Sequence, residues 1–255
     1  MSSRLRAIAK DTVEIAERGS YIDPGGHQVR IDAGPAIAGT RLYLPEDPLP
    51  EGRSAGSNRI EVTGESTLIA ARRLGGDVAA LVFASARNPG GGFLNGAQAQ
   101  EESLARASAL YPCLRAAGDF YAHHRAQTEL TYTDRVIYSP AVPVFRDDKG
   151  TLLTEAYPVT FLTSAAPNLG AIRRSQPHLA ADVPAILHRR AVRVLAVAAA
   201  HGHRRIVLGA WGCGVFANDP ATVAEAFRLA LEQQPMDEVV FAVLGPNRDA
   251  FTRVF

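Results

Sequence analysis

Between Ser85 and Glu102 the chain reads Ser-Ala-Arg-Asn-Pro-Gly-Gly-Gly-Phe-Leu-Asn-Gly-Ala-Gln-Ala-Gln-Glu-Glu. Three kinds of group in this run could do chemistry. Gly90, Gly91 and Gly92 carry no Cβ, so their backbone can take φ > 0 and bring N–H groups against an anion. Asn88 and Asn95 set side-chain amides on either side of them. Gln100, Glu101 and Glu102 then open a helix, where a carboxyl beside a phosphate cradle could pass protons to and from a reacting bond. Tight turns also gather small residues, and acids favour helix N-termini by ~0.3–1 kcal/mol. Neither tendency explains why a carboxylate pair follows such a loop at so short a range.

Successive helical residues point about 100° apart, so Glu101 and Glu102 must do different jobs. The chemistry that suits them is glycoside cleavage at a nucleotide-linked ribose. One glutamic acid protonates the leaving oxygen as an oxocarbenium-like ribose develops, and the same group then deprotonates the attacking water. A helix N-terminus favours the ionised carboxylate, so burial and the ligand's diphosphate must push the other way. A second glycine loop, Gly209-Ala-Trp-Gly-Cys-Gly-Val-Phe-Ala-Asn-Asp219, has the same build. The amides of Gly212, Cys213, Gly214, Val215 and Phe216, with a helix starting at Pro220, would suit a diphosphate. Phe216 could stack on a sugar or a base, or be a core side chain, and the same choice stays open for Trp211.

Elements must hold these loops in place. Leu5, Ile8, Ala9, Thr12, Ile15 and Ala16 share a helical face over residues 4–19, with Gly19 as its stop. Residues 20–58 turn to Gly, Pro and short β-like runs, His27 to Ile31 and Thr40 to Leu44, with an exposed loop at 45–56. Beyond this, strands at 59–63, 77–86, 135–138, 157–163, 205–208 and 238–244 alternate with helices. The helices are expected at 65–74, from Glu101 to about Arg125 with a restart at Pro112, at 182–201 with Asp182 as cap, and at 219–233. Unbroken apolar strands between helices predict a largely parallel, buried sheet covered on both faces. Ligands gather at the carboxyl ends of such strands, where both glycine loops fall.

At this level the residues resemble a known family. Gly90 to Gly92, seven intervening residues, then Gln100 to Glu102 are similar to the signature of poly(ADP-ribose) glycohydrolases. The wording from Phe83 through Arg106 to Leu114 resembles the microbial-type branch, as do Ser139 to Phe145, Thr163 to Asn168 and Gly209 to Phe216. The resemblance covers nearly the whole chain. It implies a macrodomain-like three-layer α/β/α sandwich with a mixed, largely parallel central sheet and an N-terminal helical and loop extension. On that basis residues 1–58 form an accessory extension and residues 59–255 the catalytic domain, packed as one structural unit.

The resemblance further implies hydrolysis of the ribose–ribose O-glycosidic bonds of poly(ADP-ribose), releasing ADP-ribose. Glu102 is then the catalytic acid, and Glu101 orders the reacting ribose. Gln100 supports the loop, Asn88, Gly90, Gly91, Gly92 and Asn95 hold ribose and diphosphate, and Gly212 to Phe216 close over the diphosphate. No tyrosine-bearing clasp over the adenine matches that of the larger enzymes, and the open adenosine end this leaves favours cleavage from the chain terminus. Two alternatives remain open: a non-catalytic ADP-ribose reader, and a hydrolase of mono-ADP-ribosyl or ADP-ribose 1″-phosphate substrates.

Composition narrows the classes. The chain has 255 residues, 47% hydrophobic and 21% charged, which suits one large domain. A net charge of +1 gives no long-range pull on nucleic acid, so sequence-specific nucleic-acid binding is not expected. No apolar run nears the ~20 residues of a membrane helix, and with no apolar signal core at the N-terminus a cytoplasmic location is expected. Cys113 and Cys213 form no disulfide framework and no metal motif; Cys213 among glycines invites a nucleophile reading that its loop explains equally well. His123 and His124, and His201 and His203, fit dipole partners at helix ends rather than zinc ligands. Arg173, Arg174 and the basic run from His188 to Arg193 could touch an anionic polymer, but such residues are more often solvated helix faces. Neither metal nor redox cofactor is implied, and the expected partners are poly(ADP-ribose) and ADP-ribosylated proteins.

Overall fold

The computed structural model describes residues 2–49 and 57–255. Helix α1 (Ser3–Arg18) is capped by the Ser2 hydroxyl, which accepts from the Leu5 N–H, and ends at Gly19 in a left-handed turn at φ 75°. A small hairpin, β1 (Ser20–Ile22) with β2 (Gln28–Arg30), leads to α2 (Gly34–Gly39) and β3 (Arg41–Tyr43). The loop expected at 45–56 lies outside the described residues from position 50 onward. Then come β4 (Arg59–Thr63), α3 (Thr67–Leu74) and β5 (Val78–Phe83), followed by α4 (Gln100–Ala107), α5 (Leu110–Ala116) and α6 (Gly118–Ala126). The chain continues through β6 (Val136–Arg146), β7 (Leu152–Ser164), α7 (Leu169–Ser175), α8 (Val183–Ala200) and β8 (Arg205–Leu208). It closes with α9 (Pro220–Gln233), β9 (Glu238–Ala242) and α10 (Arg248–Val254).

Seven strands form the main sheet in the order β3-β6-β7-β5-β8-β9-β4. Five neighbours, from β7 to β4, run parallel, while β6 is antiparallel to both β7 and β3. Alternation along β5 divides the core in two. Ala80 and Val82 face a layer drawn from α1 to α6, whereas Ala79 and Leu81 face one drawn from α7 to α10. This is the expected mixed, three-layer α/β/α arrangement. The central strand β5 is buried at every position but Phe83, so its C-terminal end is rigidly placed where the first glycine loop begins.

Some expectations need correction. Two short strands at 135–138 and 157–163 are in fact one long hairpin. Pro140, Pro143 and Pro158 look like breaks, but the register shifts between Ser139 and Val142, and Pro143 lies opposite Pro158. Bulged positions tolerate residues that cannot donate to the ladder. The helical run after Glu101 breaks at Ser108, whose extended backbone bridges to Val144, rather than at Pro112. Asp182 precedes α8, but its side chain makes no capping bond because a 3-10 turn over Pro177–Asp182 already feeds the helix.

The N-terminal segment touches the main sheet and the first loop. Arg41–Tyr43 pairs with Val136–Tyr138. Thr12 donates to the Arg106 carbonyl (2.7 Å) and accepts from Arg146 Nε (2.9 Å), fastening α1 behind α4. A Cβ on Gly96 would lie 2.7 Å from the Ser2 carbonyl. Helix α1 therefore backs the loop that carries the glycines.

Candidate active site

Gln100 sets the register between loop and sheet. Its Oε1 accepts from the Phe83 N–H (2.9 Å), and its Nε2 donates to the Leu81 carbonyl (2.7 Å) and to Thr67 Oγ1 (3.2 Å). One side chain thus satisfies the end of β5 and fixes the start of α4 against it. No side chain caps this helix, whose preceding residue is Ala99. Glu101 and Glu102 occupy its first turn and diverge as helical geometry demands.

Glu101 turns inward and is only 3% exposed. Its Oε2 accepts from the Ser85 N–H at 2.6 Å, and the Gly90 N–H also points at the carboxylate. Burial, reinforced by the neighbouring Glu102 charge, pushes this carboxyl well above the usual range, against the pull of those two amides. Its Oε1 is buried without a partner among the described residues, as is the Tyr121 hydroxyl, which burial and then the Glu101 charge push upward. Glu102 is half-buried and its Oε1 accepts from the Gly92 N–H at 3.0 Å.

Both carboxylates converge on Gly91. Its φ is +59°, and a Cβ there would fall on Glu102 Oε1, 2.9 Å from Glu102 Cδ and 3.1 Å from Glu101 Oε2. Glycine is required twice over, by conformation and by space. The amides of Ser85, Gly90 and Gly92 hold the two acids in place, a task the sequence did not suggest for a phosphate-type loop.

The second loop follows β8. Trp211 is core, with its indole N–H on the Ser164 carbonyl (3.0 Å). Asn218 draws the loop closed by donating to the Pro167 (2.8 Å) and Gly212 (3.1 Å) carbonyls. Within it, the N–H groups of Gly212, Gly214, Val215 and Phe216 have no acceptor among the described residues. Unpaired successive amides form a concavity suited to an anion. Val215 at the tip is 90% exposed, and a Cβ on Gly214 would meet nothing within 4 Å. Burial pushes the Cys213 thiol up to about 12, which leaves it protonated and a poor nucleophile.

Between the loops lies a cleft of about 310 Å³. Gln100, Glu101, Glu102, Gly212, Gly214, Val215 and Phe216 line it, joined by Phe83, Ala84, Ser85, Ala99, Ala166 and Ala210. Asn88 and Asn95 are exposed and do not line it, nor do Gly90 to Gly92 and Cys213. A second cleft of about 420 Å³ shares Phe83, Ala99, Gln100 and Ala210 and runs on to Glu65, Thr67, Asp148 and Leu244. Sequence reasoning missed the alanines and this second cleft, since small residues carry no signal except in place. Phe83 was findable as the last residue of an apolar strand before a glycine loop. Among the described residues no group of three or more His, Cys, Asp or Glu could hold a metal.

A buried cation braces the far wall. Arg190 is fully buried and donates to the Ala165 carbonyl (2.5 Å), the Thr131 carbonyl (3.0 Å) and Asp134 (2.9 Å). It fixes the chain after β7 that supplies Ala166 to the cleft. Burial lowers its pKa to about 10, with Asp134 opposing.

The family model described as "Microbial-type PARG, catalytic domain" matches residues 9–147. No curated protein matches the chain. The crystal structure of poly(ADP-ribose) glycohydrolase from Thermomonospora curvata is 50% identical, covers 100% of both chains and superposes with a TM-score of 0.93. The same enzyme bound to the inhibitor ADP-HPD superposes at 0.91. The Deinococcus radiodurans enzyme in complex with ADP-ribose is 47% identical over 89% of this chain and 98% of its own, with a TM-score of 0.82.

Proposed function

The chain belongs to the microbial-type poly(ADP-ribose) glycohydrolase family, enzymes that hydrolyse glycosidic bonds, and we propose that Glu102 carries the proton in this reaction. The observation that supports it is the convergence of two first-turn carboxylates on Gly91, across a cleft from four unpaired amides. Relatives bound to ADP-ribose and to ADP-HPD support ADP-ribose as the unit that fills the cleft. Its diphosphate would lie on the amides of Gly212 and of Gly214 to Phe216. The amides of Gly90, Gly91 and Gly92 are taken by Glu101, the Asn88 carbonyl and Glu102, so these glycines place the acids rather than the diphosphate, and Asn88 and Asn95 lie at the outer edge of that loop. Phe216 would press on the terminal ribose, and the adenosine would extend along the second cleft past Phe83.

The two acids divide the work by environment. Glu101, buried and raised, presents an unpaired Oε1 to the ribose hydroxyls and fixes the sugar. Glu102 faces the reacting bond. It gives its proton to the ribose oxygen of the leaving unit as the C1–O bond breaks, then takes one from the water that attacks the same carbon. The negative charge of the bound diphosphate adds to burial in favouring the protonated form of Glu101. Gln100 keeps this turn in register with β5, and residues 1–58 serve as an accessory segment that backs the loop of the 59–255 catalytic unit.

One terminal unit, with ribose at Glu102 and adenosine in the second cleft, occupies the whole site, so cleavage proceeds from the chain terminus. The test is incubation with long poly(ADP-ribose), following both free ADP-ribose and the lengths that remain. Monomer from the outset with gradual shortening is expected. Early release of oligomers would overturn the terminal mode, and no release at all would overturn poly(ADP-ribose) as the substrate.

A further inference from the structure

A polymer substrate extends beyond the unit being cut, and the structure assigns a place for the next one. Resting on the proposed reading, the adenosine of the terminal unit leaves the first cleft past Phe83. The rest of the polymer must then pass out at the opposite end, beside Phe216. That end has a rim of its own. The Phe216 ring lies 6.0 Å from the ring of Tyr132, and the Phe216 carbonyl accepts from the Gly170 N–H at 2.8 Å. The Arg174 guanidinium crosses the same face, within 3.7 Å of where a Cβ on Gly170 would be. On the catalytic-loop side, Arg125 donates to the Arg87 carbonyl (2.7 Å), next to Asn88.

Two further features mark this rim as more than a solvated helix face. Arg125, Arg173 and Arg174 are exposed, and none of them pairs with a carboxylate among the described residues. Asp134, close by in sequence to Tyr132, is already taken by Arg189 and Arg190. Tyr132, whose ring neighbours Phe216, and Ala217, the next residue along, are two of the four non-glycine residues with positive φ among the described residues (57° and 54°). Such strain persists where surroundings over-determine it, and it gathers at ligand sites. The partly exposed rings of Tyr132 and Phe216, with arginines nearby that hold no carboxylate, offer a stacking surface and cations for a nucleoside diphosphate.

We propose that Tyr132, Arg125 and Arg174 bind the ADP-ribose unit on the leaving side of the scissile bond, with the two arginines on its diphosphate and Arg173, the neighbour of Arg174 on α7, adding its charge to the same end. This subsite would raise affinity for polymer over a single unit without touching the reacting ribose. The arginines sit on α6 and α7, outside the cleft lining.

The test compares two substrates with one set of proteins. Poly(ADP-ribose) has a leaving unit, whereas ADP-ribose carrying a nitrophenyl leaving group has none. The double variant Arg173→Ala/Arg174→Ala removes side chains that hold no hydrogen bond among the described residues, and Arg125→Ala is a second probe from the other side. For polymer, KM is expected to rise roughly three- to tenfold in the double variant, and its increase between about 50 and about 200 mM salt should become shallower. The nitrophenyl substrate should keep its parental kcat/KM. An unchanged polymer KM with an unchanged salt dependence would overturn the subsite. An equal loss on both substrates would also overturn it, by showing that the arginines act on the reacting unit. Failure of the parent protein on polymer would instead count against the proposed function, so the two outcomes stay distinct.

Discussion

Replacing Gly91 by alanine should disable the chemistry while sparing most of the fold. Two costs follow from its position. An alanine held at φ +59° loses ~1–2 kcal/mol relative to glycine. Its Cβ would also occupy the space of Glu102 Oε1, so the carboxylate must swing away and give up the Gly92 N–H. The strain alone predicts a fall in Tm of ~2–8 °C at this chain length. A reacting group moved by ~1 Å loses about 10²-fold in rate. The assay pairs kcat for ADP-ribose release from polymer with ADP-ribose affinity by calorimetry. A drop in kcat of about a hundredfold, with affinity changed by less than about tenfold, is expected. Gly118→Ala is the control, because a Cβ there meets nothing within 4 Å and its φ is not positive. If Gly91→Ala loses stability as stated yet keeps kcat within about threefold of the parent, the Glu102 position is not what sets the rate.

Other consequences can be checked alongside. Glu101→Gln should stabilise the protein increasingly with pH. The folded carboxyl lies well above its ordinary 4.5, so the folded parent holds more protons than the unfolded chain and loses stability as pH rises from there through the folded value. The gap in Tm between variant and parent should therefore widen from about pH 5 to about pH 8; a constant gap would contradict burial as the cause. Asn218→Ala removes the donor that closes the second loop on the Pro167 and Gly212 carbonyls. ADP-ribose affinity should fall about tenfold with the pH profile of kcat unmoved, and calorimetry showing parental affinity would remove that loop from diphosphate binding.

Much of this was legible because the chemistry needed rare combinations. Three glycines before a Gln-Glu-Glu triplet, and a second glycine loop after an apolar strand, gave the family and the layered α/β fold. Helix α1 was readable from its face and from Gly19, and α9 from Asp219 and Pro220. Other features depend on tertiary context. The β6–β7 hairpin hid behind three prolines, Pro140 at a bulge and Pro143 facing Pro158 across the ladder, and Arg190 read as a solvated cation although it is buried beneath the site. The separation of Glu101 from Glu102 was foreseen from helical geometry, but not that the glycine amides hold both acids. Which acid is buried could not be read at all, because burial belongs to the packed loop and not to the two residues.

The most direct measurement is ADP-ribose release from poly(ADP-ribose) by the parent and by Glu102→Gln, with ADP-ribose affinity measured on both. Gln keeps the size of the side chain and its acceptor for the Gly92 N–H, and removes only the proton. Release by the parent, loss of at least about a hundredfold in the variant and affinity retained in both are the expected results. Undiminished release by Glu102→Gln would contradict the assignment of the proton to Glu102 and pass the role to another group in the cleft.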